Sequence, residues 1–113
     1  MLPRITKIEN GKVHINDEIV TDNLFLHRNG FELIEKAPGI AQKDFERMLL
    51  HEPEIAIFGV GFRGRVRLED TIMDAAKKQN ITVHILPSED AIRKFQELAR
   101  KGEKVVAHIH VNE

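Results

Sequence analysis

The sequence predicts one layered α/β domain over residues 1–113, with an N-terminal antiparallel β layer and about three helices. Three observations support this fold class. Short β-branched runs separated by turn residues fill residues 1–35. From residue 41 onwards, apolar residues recur at helical spacing. Between the helical segments lie short continuous apolar runs, which are typical of strands covered on both faces.

The N-terminal segment contains short strands joined by tight turns. Asn10-Gly11 and Asn16-Asp17 separate the first β-branched runs, and Asn29-Gly30 precedes a later one. Because Asn, Asp and Gly tolerate the positive φ angles of hairpin turns, these pairs predict antiparallel pairing. The apolar residues of the predicted strands are Ile5, Ile8, Val13, Ile15, Ile19, Val20, Leu24, Phe25, Leu26, Phe31, Leu33 and Ile34.

Two amphipathic helices are predicted in the middle of the chain. The first covers residues 41–51 and ends before Pro53, since the residue before a proline avoids the helical region. The second begins at Leu68 and carries Glu69 and Asp70 in its first turn, where the helix dipole favours acidic groups. Their apolar stripes consist of Phe45, Met48 and Leu49, and of Leu68, Ile72, Ala75 and Ala76.

A third helix is predicted after Pro87, with Ser88 as its N-cap and Lys101-Gly102 at its end. Its apolar stripe consists of Ile92, Phe95, Leu98 and Ala99. Buried strands are predicted before, between and after the last two helices, at residues 55–58, 81–86 and 105–111. This alternation of strands and helices predicts a layered α/β arrangement.

Composition and charge exclude several classes of function. Lysine and arginine total 17 against 18 aspartate and glutamate residues, which gives a formal net charge of -1. Because a domain that binds nucleic acid is expected to be strongly basic, we predict no nucleic-acid partner. The chain has no cysteine, which excludes disulfides and thiolate metal sites. With no signal-peptide pattern and no apolar run of about 20 residues, we expect a soluble cytoplasmic protein without a membrane span.

The strand predicted at residues 55–58 leads into three glycines, Gly59, Gly61 and Gly64, at the spacing of a dinucleotide-binding loop. In that fold the third glycine lies in the following helix, whose N-terminus holds the pyrophosphate. Here residues 65–68 separate the last glycine from the next helical periodicity, and the remaining chain supplies too few strands. We therefore predict no dinucleotide and no other cofactor.

A different motif extends over nearly the whole chain. Its elements are Gly11-Lys12-Val13, Pro53-Glu54, Gly59-Val60-Gly61, Ser88, Ala91, Phe95-Gln96-Glu97-Leu98 and Gly102. This pattern resembles the family of mitochondrial respiratory complex I assembly factor 3 and the adipogenesis-associated proteins, which includes uncharacterised archaeal and bacterial single-domain members. The family pattern has Thr at the positions of Val60 and Ser88 and Asn at the position of Gln96.

The resemblance implies a three-layer α/β fold with a central mixed sheet and a role in assembling a protein complex, with no established enzymatic activity. We therefore expect a binding or assembly-type module without catalytic residues, and catalysis is the less favoured interpretation. The partner would be another protein, or a second copy that pairs through an exposed β edge. Such a module should expose an apolar patch, to which Phe62 or Phe31 could contribute.

The alternative is a small-anion binding protein, or an undiscovered enzyme, with its site at the Gly59–Gly64 turn and the start of the third helix. Backbone N–H groups, a helix N-terminus and guanidinium groups would together favour phosphate or carboxylate. The candidate ligand-binding residues are Gly59, Val60, Gly61, Arg63, Arg65, Ser88 and Ala91. The alternation of Arg63, Arg65 and Arg67 also fits the solvated side of an extended segment.

Histidine and serine offer weaker candidates. His108 and His110 lie two residues apart and hence on one face of the last strand, where His84 could join them to hold zinc. The alternative interpretation is a polar, partly solvated strand face, and since no carboxylate partner lies in this strand we predict no metal site. Ser88 is explained by helix capping, and nothing in its spacing indicates a catalytic triad.

Overall fold

The computed structural model of the protein describes residues 1–112. Its strands are β1 (Ile5–Glu9), β2 (Lys12–Ile15), β3 (Glu18–Val20), β4 (Asn23–His27), β5 (Gly30–Ile34), β6 (Gly39–Ile40), β7 (Ile55–Gly59), β8 (Arg67–Leu68), β9 (Thr82–Leu86) and β10 (Val105–Ile109). Its helices are α1 (Gln42–Leu49), α2 (Thr71–Lys78) and α3 (Ser88–Arg100).

The central sheet has five strands in the order β5-β4-β10-β7-β9. β10 pairs with β7 in parallel and with β4 in antiparallel orientation, so the sheet is mixed, as the family resemblance predicts. β9 is parallel to β7, while β5 is antiparallel to β4. All five residues of β10 are buried, including His108, because this strand lies at the centre of the sheet and is covered on both faces.

The two faces of the central sheet carry separate cores. One face packs against α3 and against a second, antiparallel sheet of β1, β2 and β3. The other face packs against α1 and α2, with Phe25, Phe45 and Phe58 among its buried side chains. The predicted three-layer α/β arrangement is therefore confirmed.

The N-terminal β layer is smaller than the sequence predicts. β4 and β5 belong to the central sheet, and only β1 to β3 form the separate antiparallel sheet. The physical reason lies in Leu24, Phe25 and Leu26, which are all fully buried and so need cover on both faces of their strand. The predicted turns are present, since Gly11, Asn16 and Asp17 have positive φ angles of 89°, 48° and 67°.

The second helix begins later than its apolar stripe predicts. Leu68 lies in β8, which pairs in parallel with β6, and α2 starts at Thr71. Glu69 precedes α2, and its carboxylate accepts a hydrogen bond of 2.9 Å from the N–H of Gln42, at the start of α1. Its acidic charge therefore stabilises the N-terminus of α1 rather than that of α2.

Candidate functional site

The glycine loop, residues Gly59–Gly64, lies where the carboxyl ends of β7 and β9 meet the start of α3. The N–H of Val60 donates to the Leu86 carbonyl at 2.9 Å, which ties the two strand ends together. The Gly61 carbonyl accepts hydrogen bonds from the N–H groups of Gly64 and Ser88, at 3.1 and 2.9 Å. The predicted convergence of strand ends and helix start is therefore present, and it is held by the loop's own backbone.

Ser88 is fully buried and connects three segments. Its hydroxyl accepts from the Gly61 N–H at 2.9 Å and donates to the His110 carbonyl. The prediction that Ser88 is the N-cap of α3 is wrong, because Pro87 occupies the N-cap position and Ser88 is the first helical residue. The hydroxyl satisfies buried backbone groups of the loop and of the chain beyond β10 instead of the helix's own N–H groups.

Small residues allow α3 to approach the end of β7. A Cβ atom added at Gly59 would lie 2.9 Å from Cδ1 of Ile109 and 3.2 Å from both Cβ of Ala91 and Oγ of Ser88. Such separations are shorter than normal packing contacts. Gly59 and Ala91 thus have a packing role that is independent of any ligand.

The seven candidate anion-binding residues divide into two groups. Arg63 and Arg65 are exposed, and the other five are buried. Within residues 1–112, neither guanidinium group joins an ion pair, and the N–H groups of Phe62, Arg63 and Arg65 donate to no protein acceptor. Anion binding here stays a prediction, and its exposed part is the tip of the loop.

Of the three histidines considered from the sequence, His108 and His110 lie together, with ring centroids 5.6 Å apart, but His84 does not join them. His84 pairs with Ile57 and shares the α3 face of the sheet, whereas His108 pairs with Phe58 on the opposite face. His108 and His110 are buried, with exposed fractions of 2% and 3%, so the interpretation as a partly solvated face is also wrong. Burial lowers the pKa of His108 to about 4, against the opposing effect of Asp44, and the neighbouring His110 lowers it further.

A second polar cluster, His27, Glu32 and His51, lies at the other end of the central sheet. Nε2 of His27 is 3.6 Å from Oε2 of Glu32, and Nε2 of His51 is 3.8 Å from the same oxygen. Burial lowers the pKa of His27, and His51 lowers it further. Sequence reasoning missed this cluster because strand pairing and the end of α1 bring its members together, and no local motif connects them.

The cluster borders a cleft of about 700 Å³ near the amino end of β10. Its lining includes both histidine rings, the cations Arg28 and Lys104, and the carboxylate of Glu52. The cleft is on the side of the sheet away from the glycine loop, since β10 runs from Val105 beside the cleft to Ile109 beside Gly59. The protein therefore has two separate candidate sites.

The two edge strands of the central sheet, β5 and β9, offer further candidate binding surfaces. β5 and β9 each pair on one side only. Leu33 in β5 is 55% exposed and Ile85 in β9 is 46% exposed. Phe31 and Phe62, which the sequence suggested for an apolar patch, are only partly exposed, and Phe31 packs against the core. Among the described residues, no helix is both long and apolar enough to cross a membrane.

Comparison with known proteins identifies both a family and a fold. Residues 5–110 match a family model described as "Protein of unknown function (DUF498/DUF598)". A conserved hypothetical protein from Pyrococcus horikoshii has a similar structure, with a TM-score of 0.85 at 18% identity over 97% of this chain and 99% of the other.

Two further solved structures are similar. An outer membrane protein from Bartonella henselae gives a TM-score of 0.84 at 20% identity, over 99% of this chain and 97% of the other. A Bordetella pertussis protein described as a Mth938-like domain has a TM-score of 0.67 at 15% identity, over 95% of this chain and 84% of the other. At these identities the similarity establishes the fold.

Proposed function

Because the chain belongs to the DUF498/DUF598 family of proteins of unknown function, we propose that it is a binding module for protein assembly that pairs with another β-strand through the open edge of β9. The observation that carries this proposal is the composition of that edge. Natural edge strands are blocked by Lys, Asp, Glu or Pro, yet β9 consists of Thr82, Val83, His84, Ile85 and Leu86. The opposite edge strand, β5, carries Glu32 at its centre.

The hydrogen bonds of β9 indicate which groups a partner would meet. The N–H of Thr82 donates to the Glu54 carbonyl, and the Leu86 carbonyl accepts from the N–H of Val60. Even-numbered residues therefore direct their backbone groups towards β7. Because these directions alternate along a parallel strand, the N–H and C=O groups of Val83 and Ile85 face the open edge. An added strand could bond to both residues, as in β-augmentation.

The glycine loop supports a binding role over a catalytic one. The Ser88 hydroxyl uses its donor and an acceptor within the protein, and it is buried, so it is poorly placed to act as a nucleophile. The sequence resemblance to the complex I assembly factor family is in keeping with an assembly role, and we extend that role to this chain as part of the proposal.

The simplest partner for a test is a second copy of the chain, joined by pairing of two β9 strands. Sedimentation velocity over a range of protein concentrations should show a monomer–dimer equilibrium for the wild-type protein. Ile85→Lys should weaken the dimer by about tenfold or more, equivalent to about 1.4 kcal/mol, because it places like charges on both strands of the pair.

Leu33→Lys is the matched control, since it puts the same charge on an exposed apolar position of the other edge strand. It should leave the dimer unchanged. A protein that stays monomeric at every concentration, or a dimer weakened equally by both substitutions, would contradict pairing through β9.

A second candidate function is binding of a small anion at the tip of the glycine loop. It is favoured by the donor-rich tip, where the N–H groups and the guanidinium groups of Arg63 and Arg65 have no protein partner within residues 1–112. Phosphate at about a hundred times its dissociation constant should add about 2.7 kcal/mol to the free energy of unfolding. Thermal unfolding should show this shift in the wild-type protein and in Arg100→Ala, but not in the Arg63→Ala, Arg65→Ala double variant. A shift that survives the double variant would place the anion elsewhere.

A further inference from the structure

We propose that His27, Glu32 and His51 bind a divalent transition-metal ion, and that Zn²⁺ is the ion their chemistry fits best. Each side chain offers one ligand atom, and these atoms lie within 4.8 Å of one another. Among residues 1–112, this is the single group of three His, Cys, Asp or Glu side chains that meets that condition. Two imidazoles and one carboxylate form a ligand set that Zn²⁺ favours.

The fold holds both imidazole rings against the same carboxylate. His27 ends β4, Glu32 lies in the adjacent β5, and His51 follows the end of α1. The two imidazole rings stack, with centroids 4.6 Å apart and planes inclined by 24°. Phe25 supports both of them, with centroid separations of 5.7 Å to His27 and 5.0 Å to His51. The three ligands therefore come from three different segments, and packed rings from two of these segments support them.

The two nitrogen–oxygen separations are close to those of a tetrahedral zinc site. With Zn–N and Zn–O bonds of about 2.0–2.1 Å, ligand atoms at tetrahedral angles lie about 3.3 Å apart. The nitrogen–oxygen distances of 3.6 and 3.8 Å are a few tenths of an ångström longer. The Glu32 side chain is about half exposed, so it can rotate to close this difference without disturbing the core.

Metal binding removes one hydrogen bond of the cluster. Nδ1 of His27 accepts a bond of 3.3 Å from the N–H of Asn29. When Nε2 binds the ion, the remaining ring proton is on Nδ1, and that bond is lost. At 3.3 Å this N–H···N bond is long, so its loss costs less than that of a short hydrogen bond.

Three protein ligands leave a coordination position for water or another small ligand. Zinc sites with two histidines and one glutamate keep such a position in enzymes, whereas structural zinc sites have four protein ligands. Both histidines border the cleft, and Arg28 and Lys104 line the same cleft. These cations would favour an anionic group, such as hydroxide or a carboxylate, as the fourth ligand.

The test is an isothermal titration calorimetry experiment in which ZnCl₂ is added to metal-free protein. The wild-type protein should bind one Zn²⁺ ion per chain. Since even the hydrogen-bonding partners of metal ligands contribute about 10–100-fold to affinity, Glu32→Gln and His51→Gln should each weaken binding by about 100-fold. Glu32→Gln preserves the shape of a half-exposed side chain, so it leaves the fold intact as checked by circular dichroism.

His14→Gln is the matched control. His14 also lies beside a glutamate, with Nε2 3.7 Å from Oε2 of Glu9, but within residues 1–112 this pair has no third ligand. Its substitution should leave zinc binding unchanged. Failure of the wild-type protein to bind zinc stoichiometrically would overturn the proposal, as would binding that survives both Glu32→Gln and His51→Gln. Because none of these residues lies in β9, the result is independent of the proposed strand pairing.

Discussion

At the scale of single residues, Gly59 shows why a glycine motif can have a packing role. Its φ angle lies outside the left-handed region, so the backbone conformation itself permits other residues. The constraint is the side chain, because Ile109, Ala91 and Ser88 already occupy the space that a Cβ would need. Packing between α3 and β7 thus explains why the first position of the dinucleotide-like pattern, Gly59, is a glycine.

Gly59→Ala is therefore expected to destabilise the protein by about 1–3 kcal/mol, the usual cost of overpacking a core. Urea unfolding followed by circular dichroism measures this as a lower midpoint with an unchanged slope. Ile109→Val removes the Cδ1 atom that the added Cβ would meet at 2.9 Å. Combined with Gly59→Ala it should cost less than the sum of the two single changes. Strictly additive effects would show that this steric contact is not the cause.

The structural role of Ser88 could be only partly predicted from the sequence. A serine directly before a helical stripe indicates a helix start, and α3 does begin there. Its actual hydrogen-bond partners, Gly61 and His110, lie 27 and 22 residues away along the chain. No local pattern encodes such contacts, because they depend on how β7, α3 and β10 pack.

At the scale of elements, β10 shows how strand position changes the meaning of a residue pattern. Alternation of His108 and His110 with apolar neighbours is typical of a strand with one solvent-exposed face. β10 is instead the central strand, with α1 and α2 on the face that carries His108. The order of strands in a sheet depends on residues that are far apart in sequence. The alternation of histidines and apolar residues therefore predicts a strand, but it does not predict that both faces of the strand are buried.

Burial of His108 makes stability depend on pH. Its pKa is about 4 in the folded protein and about 6.5 when unfolded, so the unfolded chain binds the proton more readily. The free energy of unfolding should therefore be constant above pH 6.5 and fall by about 3 kcal/mol as the pH drops through this range towards 4.

Urea midpoints measured between pH 6.5 and 4 would report this decrease in the free energy of unfolding. His108→Leu should remove most of the slope, and His27, whose pKa is also lowered, would account for part of the remainder. His14→Gln, at a histidine that is only partly buried, serves as the comparison variant. An unchanged slope in His108→Leu would show that another group controls the acid response.

The helices and longer strands were predictable because each has enough residues to show its period. α1, α3, β7 and β10 lie within a few residues of their predicted positions. β6 and β8 were not predicted, since two residues cannot display alternation. Their pairing explains why Leu68, which fits the apolar stripe of α2, belongs to a strand instead.

At the scale of the whole molecule, contacts between elements that are distant in sequence shape both candidate sites. The spacing of Gly59, Gly61 and Gly64 identifies the glycine loop, but the burial of five of the seven candidate anion-binding residues depends on the packing of α3. The His27, Glu32 and His51 cluster depends on β4–β5 pairing and on the course of the chain after α1. Tertiary packing therefore decides which polar residues can meet a ligand.

The order of the central sheet also predicts how protection from hydrogen exchange is distributed. β10 and β7 are paired on both sides, so their amides should exchange only through openings that approach global unfolding. The N–H groups of Val83 and Ile85 face the open edge of β9 and should exchange rapidly in dilute protein. Pairing of two β9 strands would cover these two amides, so their protection should rise with protein concentration while that of β10 stays constant. Amide exchange followed by NMR at two concentrations measures both quantities. Slow exchange of Val83 and Ile85 in the dilute monomer would contradict the strand directions deduced for β9, and concentration-independent rapid exchange would contradict its pairing.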